Sequence, residues 1–273
     1  MTEKKTSTRR RRKTAAKPAA EKQSAPQSAA KPNTTEISSF EISVLIPTRG
    51  NAAVIWLALE SLVRQSDAPR FEVIISECKS SSAASKVIEQ YARKLNITHI
   101  QNDKRLPVSL KWRQMAHAAS ASLCAMMGSD DYAPSNWLRE CVDKLTGGHD
   151  WVHAKQGVFY NFHNRRIAEW RMPFDRSGLW QATTTEAMQS LPEENIGRGV
   201  DQWMMNAISP RNIAAVEYPD GVLTDGYNTL SSHRAKFYTD APARPFHACD
   251  AKLTDLVPTD IAARMKKMRV VVH

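Results

Sequence analysis

The stretch Phe40-Glu41-Ile42-Ser43-Val44-Leu45-Ile46-Pro47 constrains this chain most. It alternates and then turns fully apolar, which is the pattern of a half-buried to buried β-strand. Thr48-Arg49-Gly50-Asn51 follows as a turn, and Ala52 to Gln65 carries Val54, Leu57, Leu59, Leu62 and Val63 on a helical stripe. The alternation then repeats. Phe71 to Ser76 reads as a strand, Ser82 to Leu95 as an amphipathic helix, and Ile97 to Ile100 as a short strand. Lys111 to Ser122 reads as a helix, and Leu123 to Met127 as a buried strand. Strands alternating with helices predict an α/β fold with a mixed, mainly parallel, Rossmann-like sheet flanked by helices.

After Asp131 the pattern loosens. Trp137 to Leu145 predicts a helix, and Trp151–Ala154 with Gly157–Phe162 predict two strands that suit a hairpin. Ile167 to Trp180 is aromatic and basic, Asp201 to Ile208 is a short helix, and Ala214 to Tyr218 is a strand. Thr259 to Met268 is a basic amphipathic helix. There is no internal repeat. No run of 18 apolar residues predicts a transmembrane segment, and no apolar stretch follows the basic Arg9–Lys13 as in a signal peptide. A cytoplasmic location is the resulting expectation, the host cytoplasm if the chain is phage-encoded.

Charge is unevenly distributed. The 273 residues carry a net +10 with histidine neutral, and residues 1–40 hold ten basic against three acidic side chains, supplying seven of those charges. Residues 1–38 lack large apolar side chains and are expected to be a disordered basic tail. Such an arm suits either solubility or contact with nucleic acid or another anionic surface. The four cysteines, Cys78, Cys124, Cys141 and Cys249, lie far apart and form no metal-binding spacing; reduced, mostly packed thiols are expected.

Open parallel sheets bind ligands beyond the carboxyl ends of their strands. Here those ends read Pro47-Thr48-Arg49-Gly50-Asn51, Glu77-Cys78-Lys79-Ser80 and Gly128-Ser129-Asp130-Asp131. Two adjacent carboxylates after a buried strand suit Mg²⁺ or Mn²⁺ bridging to phosphate oxygens. The same pair also serves as a helix cap followed by a turn.

The order of these features (a strand ending IPT, a helix reading LxSLxxQ, a strand FEVII closing on an acid, then SDD) resembles the GT-A nucleotide-sugar glycosyltransferases, family 2 in particular. The likeness covers about residues 41–140 well and 141–235 loosely. It implies a GT-A domain, placed at 39–257 with a nucleotide-binding half at 39–131 and an acceptor-binding half at 132–257; the C-terminal basic helix at 258–273 lies outside the likeness. On it, Pro47, Thr48, Arg49, Asn51, Glu77, Lys111 and Asp130 fall at donor-binding positions. Asp131 falls at the metal ligand, Asp130 and His233 beside it, and Asp201 at the general base that opens an acceptor-side helix. Trp170, Arg171, Trp180 and Trp203 become candidates for the acceptor site. Three departures stand out: Cys78-Lys79 for the usual Asp-Gly, Gly128 for the frequent first acid, and Val200 for a Glu. Plain readings remain beside these: an N-cap for Asp201, a surface histidine for His233, a solvated face for Lys111, and core packing for the tryptophans.

The resemblance implies a metal-dependent inverting transferase using a UDP-sugar with Mn²⁺ or Mg²⁺. The basic arm favours a nucleic-acid acceptor, a hydroxymethylated pyrimidine in DNA as in phage DNA modification, over a lipid-linked or surface saccharide. A non-catalytic nucleotide-sugar or nucleic-acid binding module and a nucleotidyltransferase are the readings of other classes.

Overall fold

The central strand is buried on both faces, and the fold is built outward from it. The computed structural model describes residues 40–49, 52–78, 83–171, 179–196, 199–225 and 246–268; the basic arm at 1–38 lies outside them. Strand β1 (Ile42–Thr48) pairs in parallel with β2 (Phe71–Cys78) on one side and β4 (Leu123–Met126) on the other. β3 (Ile97–Asn102) extends the sheet in parallel beyond β2. On the far side, β8 (Gln181–Thr184) runs antiparallel to β4 and β5 (Trp151–Ala154), and β9 (Ile213–Val216) closes the sheet parallel to β5. The order is therefore β3-β2-β1-β4-β8-β5-β9, mixed and mainly parallel.

Side-chain alternation along β1 and β2 sorts the core into two layers. Ile42, Val44, Ile46, Val73 and Ile75 face α1 (Ile55–Val63), α2 (Ala83–Tyr91) and α4 (Trp137–Thr146). Leu45 and Ile74 face the opposite layer, with Trp112 and Met115 of α3 (Val108–Ala118), Met188 of α5 (Thr185–Gln189), and Met204 and Met205 of α6 (Val200–Ile208). A strand wedged between two helical layers is largely apolar on both sides, which is why Val44-Leu45-Ile46 reads as a continuous apolar run.

A second sheet, ordered β10-β6-β7-β11, comprises β6 (Gln156–Asn161), β7 (Ile167–Arg171), β10 (Leu223–Asp225) and β11 (Phe246–Ala248). The hairpin expected between β5 and β6 does not form. Lys155 alone separates them, too short a link for a hairpin loop. The fully buried β5 instead inserts between β8 and β9, and β6 turns into the second sheet. α7 (Leu253–Leu256) and α8 (Thr259–Lys267) follow. On α8, Ile261, Ala262 and Met265 join the core, Asp260 pairs with Arg64 at 2.6 Å, and the Arg264 guanidinium stands 3.5 Å from the centre of the Trp56 ring.

The helix expected at Lys111 begins at Val108, immediately after Pro107, whose φ of −60° suits a helix entry. All four cysteines are free thiols. Among the described residues no helix is long and apolar enough to cross a membrane.

Leu45 is fully buried in β1. Leu45→Ala is expected to lower unfolding free energy by about 2–5 kcal/mol, whereas Thr98→Ala, at an exposed position of β3, should change it by less than ~0.5 kcal/mol. Paired denaturant titrations of the two variants check this.

Candidate active site

Polar residues gather where β1, β2 and β4 end. Thr48, the last residue of β1, is buried, and its carbonyl accepts a hydrogen bond from the Lys111 ammonium. Lys111 is itself buried on α3, and loss of hydration pushes its pKa down. Its ammonium is thus tied to the β1 backbone. Pro47 is half-buried and Arg49 exposed. Asn51 and His233 lie outside the described residues.

At the end of β2, Glu77 is buried, with 2% of its surface exposed. Its Oε2 accepts from His99 Nε2 at 2.8 Å and from Ser85 Oγ at 3.3 Å. Its Oε1 is buried and finds no hydrogen-bond donor among the described residues. A buried acceptor left unmatched costs about 1–3 kcal/mol, more when charged.

After β4 the chain passes through Met127, Gly128 and Ser129 to Asp130 and Asp131. Asp131 Oδ1 accepts from the Thr224 amide at 3.0 Å, and the Thr224 hydroxyl donates to the Asp130 carbonyl at 2.6 Å. Thr224 arrives from β10 through Val222, which pairs with Tyr132, and through Gly221 at φ +94°. A Cβ on Gly221 would stand 2.8 Å from the Pro134 nitrogen, so glycine is required for both reasons. Gly128 is constrained by its neighbours' side chains alone: a Cβ there would come within 2.5 Å of Asp131 Oδ2 and 3.1 Å of Asp130 Oδ1. The glycine that replaces the family's frequent first acid is what lets these two carboxylates fold back over the strand end.

Asp201 stands in the first turn of α6. The segment before it is pinned to α3: Ser109 Oγ donates to the Glu194 carbonyl, and the Ile196 amide donates to Ser109 Oγ at 2.9 Å. Trp203 Nε1 donates to Glu194 Oε2 at 3.1 Å. Burial raises the Asp201 pKa to about 6. Asp131 is held well above the carboxylate range, first by burial and then by the charge of Asp130; the Thr224 and Gly128 amides oppose the rise, and Asp201 adds to it. Asp130, and after it Asp201, thus oppose ionisation of Asp131, an opposition that a cation relieves.

Asp130 and Asp131 offer hard oxygen donors of the type that Mg²⁺ and Mn²⁺ take. Among the described residues no group of three or more His, Cys, Asp or Glu side chains converges closely enough to hold a metal alone. A bound ion would therefore draw further ligands from a phosphate or water, as Mg²⁺ commonly does.

The aromatic candidates are scattered. Trp203 is half-buried beside Asp201's helix. Trp170 is half-buried on β7, in register with Gly157 and Phe246 in the second sheet. Trp180 is packed into the core, 3% exposed, edge-on to Tyr218 at 6.0 Å, with its carbonyl accepting from Trp137 Nε1 at 3.1 Å. The Arg171 side chain, and Phe174 and Arg176 of the basic aromatic segment, lie outside the described residues. No local pattern pointed to Thr224, which lies 93 residues from Asp131. His99 and Gln101 were detectable only as polar residues alternating on one short strand.

Known proteins share this geometry's framework. S. aureus TarS (residues 1–349) in complex with UDP-GlcNAc superposes with a TM-score of 0.57 at 19% identity, over 70% of this chain and 60% of that one. Its UDP complex gives 0.54 at 19%, over 71% and 64%. The mannosyltransferase PcManGT from Pyrobaculum calidifontis, in complex with GDP-Man and Mn²⁺, gives 0.54 at 15%, over 72% and 60%. This chain thus spans less than two thirds of each of those chains, and at these identities the likeness concerns the fold. A search of curated protein sequences returns no significant match. The sequence profile described as Glycosyl transferase family 2 matches residues 43–206, more than half of the chain, and the chain belongs to that family.

Proposed function

We propose that this chain is a nucleotide-sugar glycosyltransferase, and that a UDP-sugar binds across the carboxyl ends of β1, β2 and β4. The observation that carries the reading is the buried Asp131 carboxyl, whose ionisation Asp130 and Asp201 both oppose, after the β4 strand of a family 2 sheet. The structural neighbours' complexes with UDP, UDP-GlcNAc and GDP-Man support the donor class.

In this reading Glu77 accepts from the base, Thr48 and Pro47 line the nucleotide, and Asp130 contacts ribose or metal-bound water. Asp131, with Asp130, holds Mn²⁺ or Mg²⁺, whose chemistry there is to neutralise charge on the departing diphosphate. Asp201 serves as general base: a pKa near 6 keeps it ionised at neutral pH yet basic enough to accept a proton. It takes the proton of an acceptor hydroxyl as that oxygen forms its bond to the anomeric carbon. The bond from that carbon to the diphosphate breaks, and the nucleoside diphosphate leaves with the electron pair. One displacement inverts the centre. Trp203, half-buried on the same helix as Asp201, is the aromatic best placed to border an acceptor.

The acceptor we favour is a hydroxymethylated pyrimidine in DNA, with residues 1–38 tracking phosphates through their positive charge. The test incubates the protein with UDP-sugars, Mn²⁺, and hydroxymethylated or unmodified DNA, reading nucleoside mass. A sugar-sized mass increase confined to hydroxymethylated DNA supports the reading. Transfer only to saccharide or lipid-linked acceptors overturns the DNA part, and a protein that neither transfers nor hydrolyses any nucleotide sugar is a binding module. Deleting residues 1–38 should weaken DNA affinity and flatten its salt dependence.

Two further outcomes are expected. Asp201→Asn should lower kcat by about 10²–10⁴ while leaving the Kd for UDP within twofold. In the wild type kcat/KM should fall as pH drops below about 6, because protonation removes the base. Gly128→Ala should weaken UDP binding in the presence of Mn²⁺ by about tenfold (~1.4 kcal/mol), because the new methyl pushes the Asp131 carboxylate aside; calorimetry of the two proteins checks it.

A further inference from the structure

The buried carboxylate at the end of β2 is held in an asymmetric way. Glu77 Oε2 accepts from His99 Nε2 at 2.8 Å and Ser85 Oγ at 3.3 Å, while Oε1 takes no donor among the described residues. Gln101 Nε2 donates to Ser85 Oγ at 3.0 Å, so the hydroxyl proton is directed toward Glu77. His99 and Gln101 lie two residues apart on β3 and therefore on one face of it, and Gln101 is in register with Glu77. Ser85 reaches the same carboxylate from α2. Beneath it, Asn102 Nδ2 donates to the Glu77 carbonyl at 3.2 Å, fixing the backbone as well.

Resting on the donor-site reading above, we infer that His99 is a positioning residue for nucleobase selection: with Ser85 it engages Oε2 and so leaves Oε1 to accept an N–H from the donor base. A carboxylate presents acceptors only. Uracil offers N3–H at its pairing edge and makes the bond. Cytosine offers an unprotonated N3 at the same point and sets lone pair against lone pair. Selection of uridine over cytidine nucleotides then depends on which way the carboxylate is turned, which His99 decides without touching the ligand.

The test measures UDP and CDP binding by calorimetry, with Mn²⁺, to wild type, His99→Ala, His99→Gln and Glu77→Ala, together with KM and kcat for the UDP-sugar that is turned over. Wild type should bind UDP at least tenfold tighter than CDP. His99→Ala should lose most of that ratio, with KM raised about tenfold and kcat within threefold. His99→Gln, whose amide N–H still reaches Oε2, should regain most of the ratio. A UDP/CDP ratio unchanged in His99→Ala but lost in Glu77→Ala overturns the role of His99 and leaves the donor site standing. Equal weakening of both nucleotides in His99→Ala also overturns it, because a general structural role would move them together. Ratios unchanged in both alanine variants, or no nucleotide binding by wild type, remove the donor-site reading and the inference with it.

Discussion

Complete burial of β1 between two helical layers is the constraint from which the rest follows. A strand covered on both faces has little room for polar side chains: from Ile42 to Ile46 only Ser43 is polar, its hydroxyl tied to Glu72, and the other four side chains serve packing. Polar chemistry is displaced to the strand ends, where backbone groups run out of sheet partners and helices begin. Because β2 and β4 run parallel to β1, their carboxyl ends fall on the same edge, and three segments far apart in sequence meet there. Parallel pairing is thus the device that assembles Thr48, Glu77 and Asp130–Asp131.

The same edge holds costly electrostatics. Asp131 is desolvated next to Asp130 and within the field of Asp201, and the buried Glu77 Oε1 finds no donor among the described residues. Elsewhere buried Glu72 gathers three donors on one oxygen: its Oε1 accepts from the Ser43 hydroxyl, the Ser120 hydroxyl and the Ser120 amide. Glu72 thereby ties β1 and β2 to the Ser120 turn, whereas Glu77 and Asp131 stand at the strand ends. Groups left in that state are stabilised by what binds to them, and binding energy is available there because folding did not use it.

Second-sheet residues carry part of this burden. Thr224 enters through the bridge between Tyr132 and Val222 and supplies two hydrogen bonds to the Asp130–Asp131 pair. The small sheet is therefore coupled to the large one through the site itself. Gly221 and Gly128 make that coupling sterically feasible, the first by admitting a left-handed turn against Pro134 and the second by leaving space for a carboxylate.

Hydrophobic periodicity by itself determined the alternating strands and helices from Phe40 to Met127, because each element's burial pattern is local and repeats at its own period. The terminal residues of those strands, including Glu77, Asp130 and Asp131, were legible for the same reason, since a strand's end is marked where the apolar run stops. Tertiary structure alone decided the rest. β8 is four residues with little apolar character, and only pairing with β4 and β5 makes it a strand. The separation of β5 from β6 depends on which sheet has an open edge. Which side chains support the acids, His99 and Ser85 on one, Thr224 on another, follows from contacts between distant segments, and nothing in a residue's neighbours along the chain encodes a partner brought near only by the packed fold.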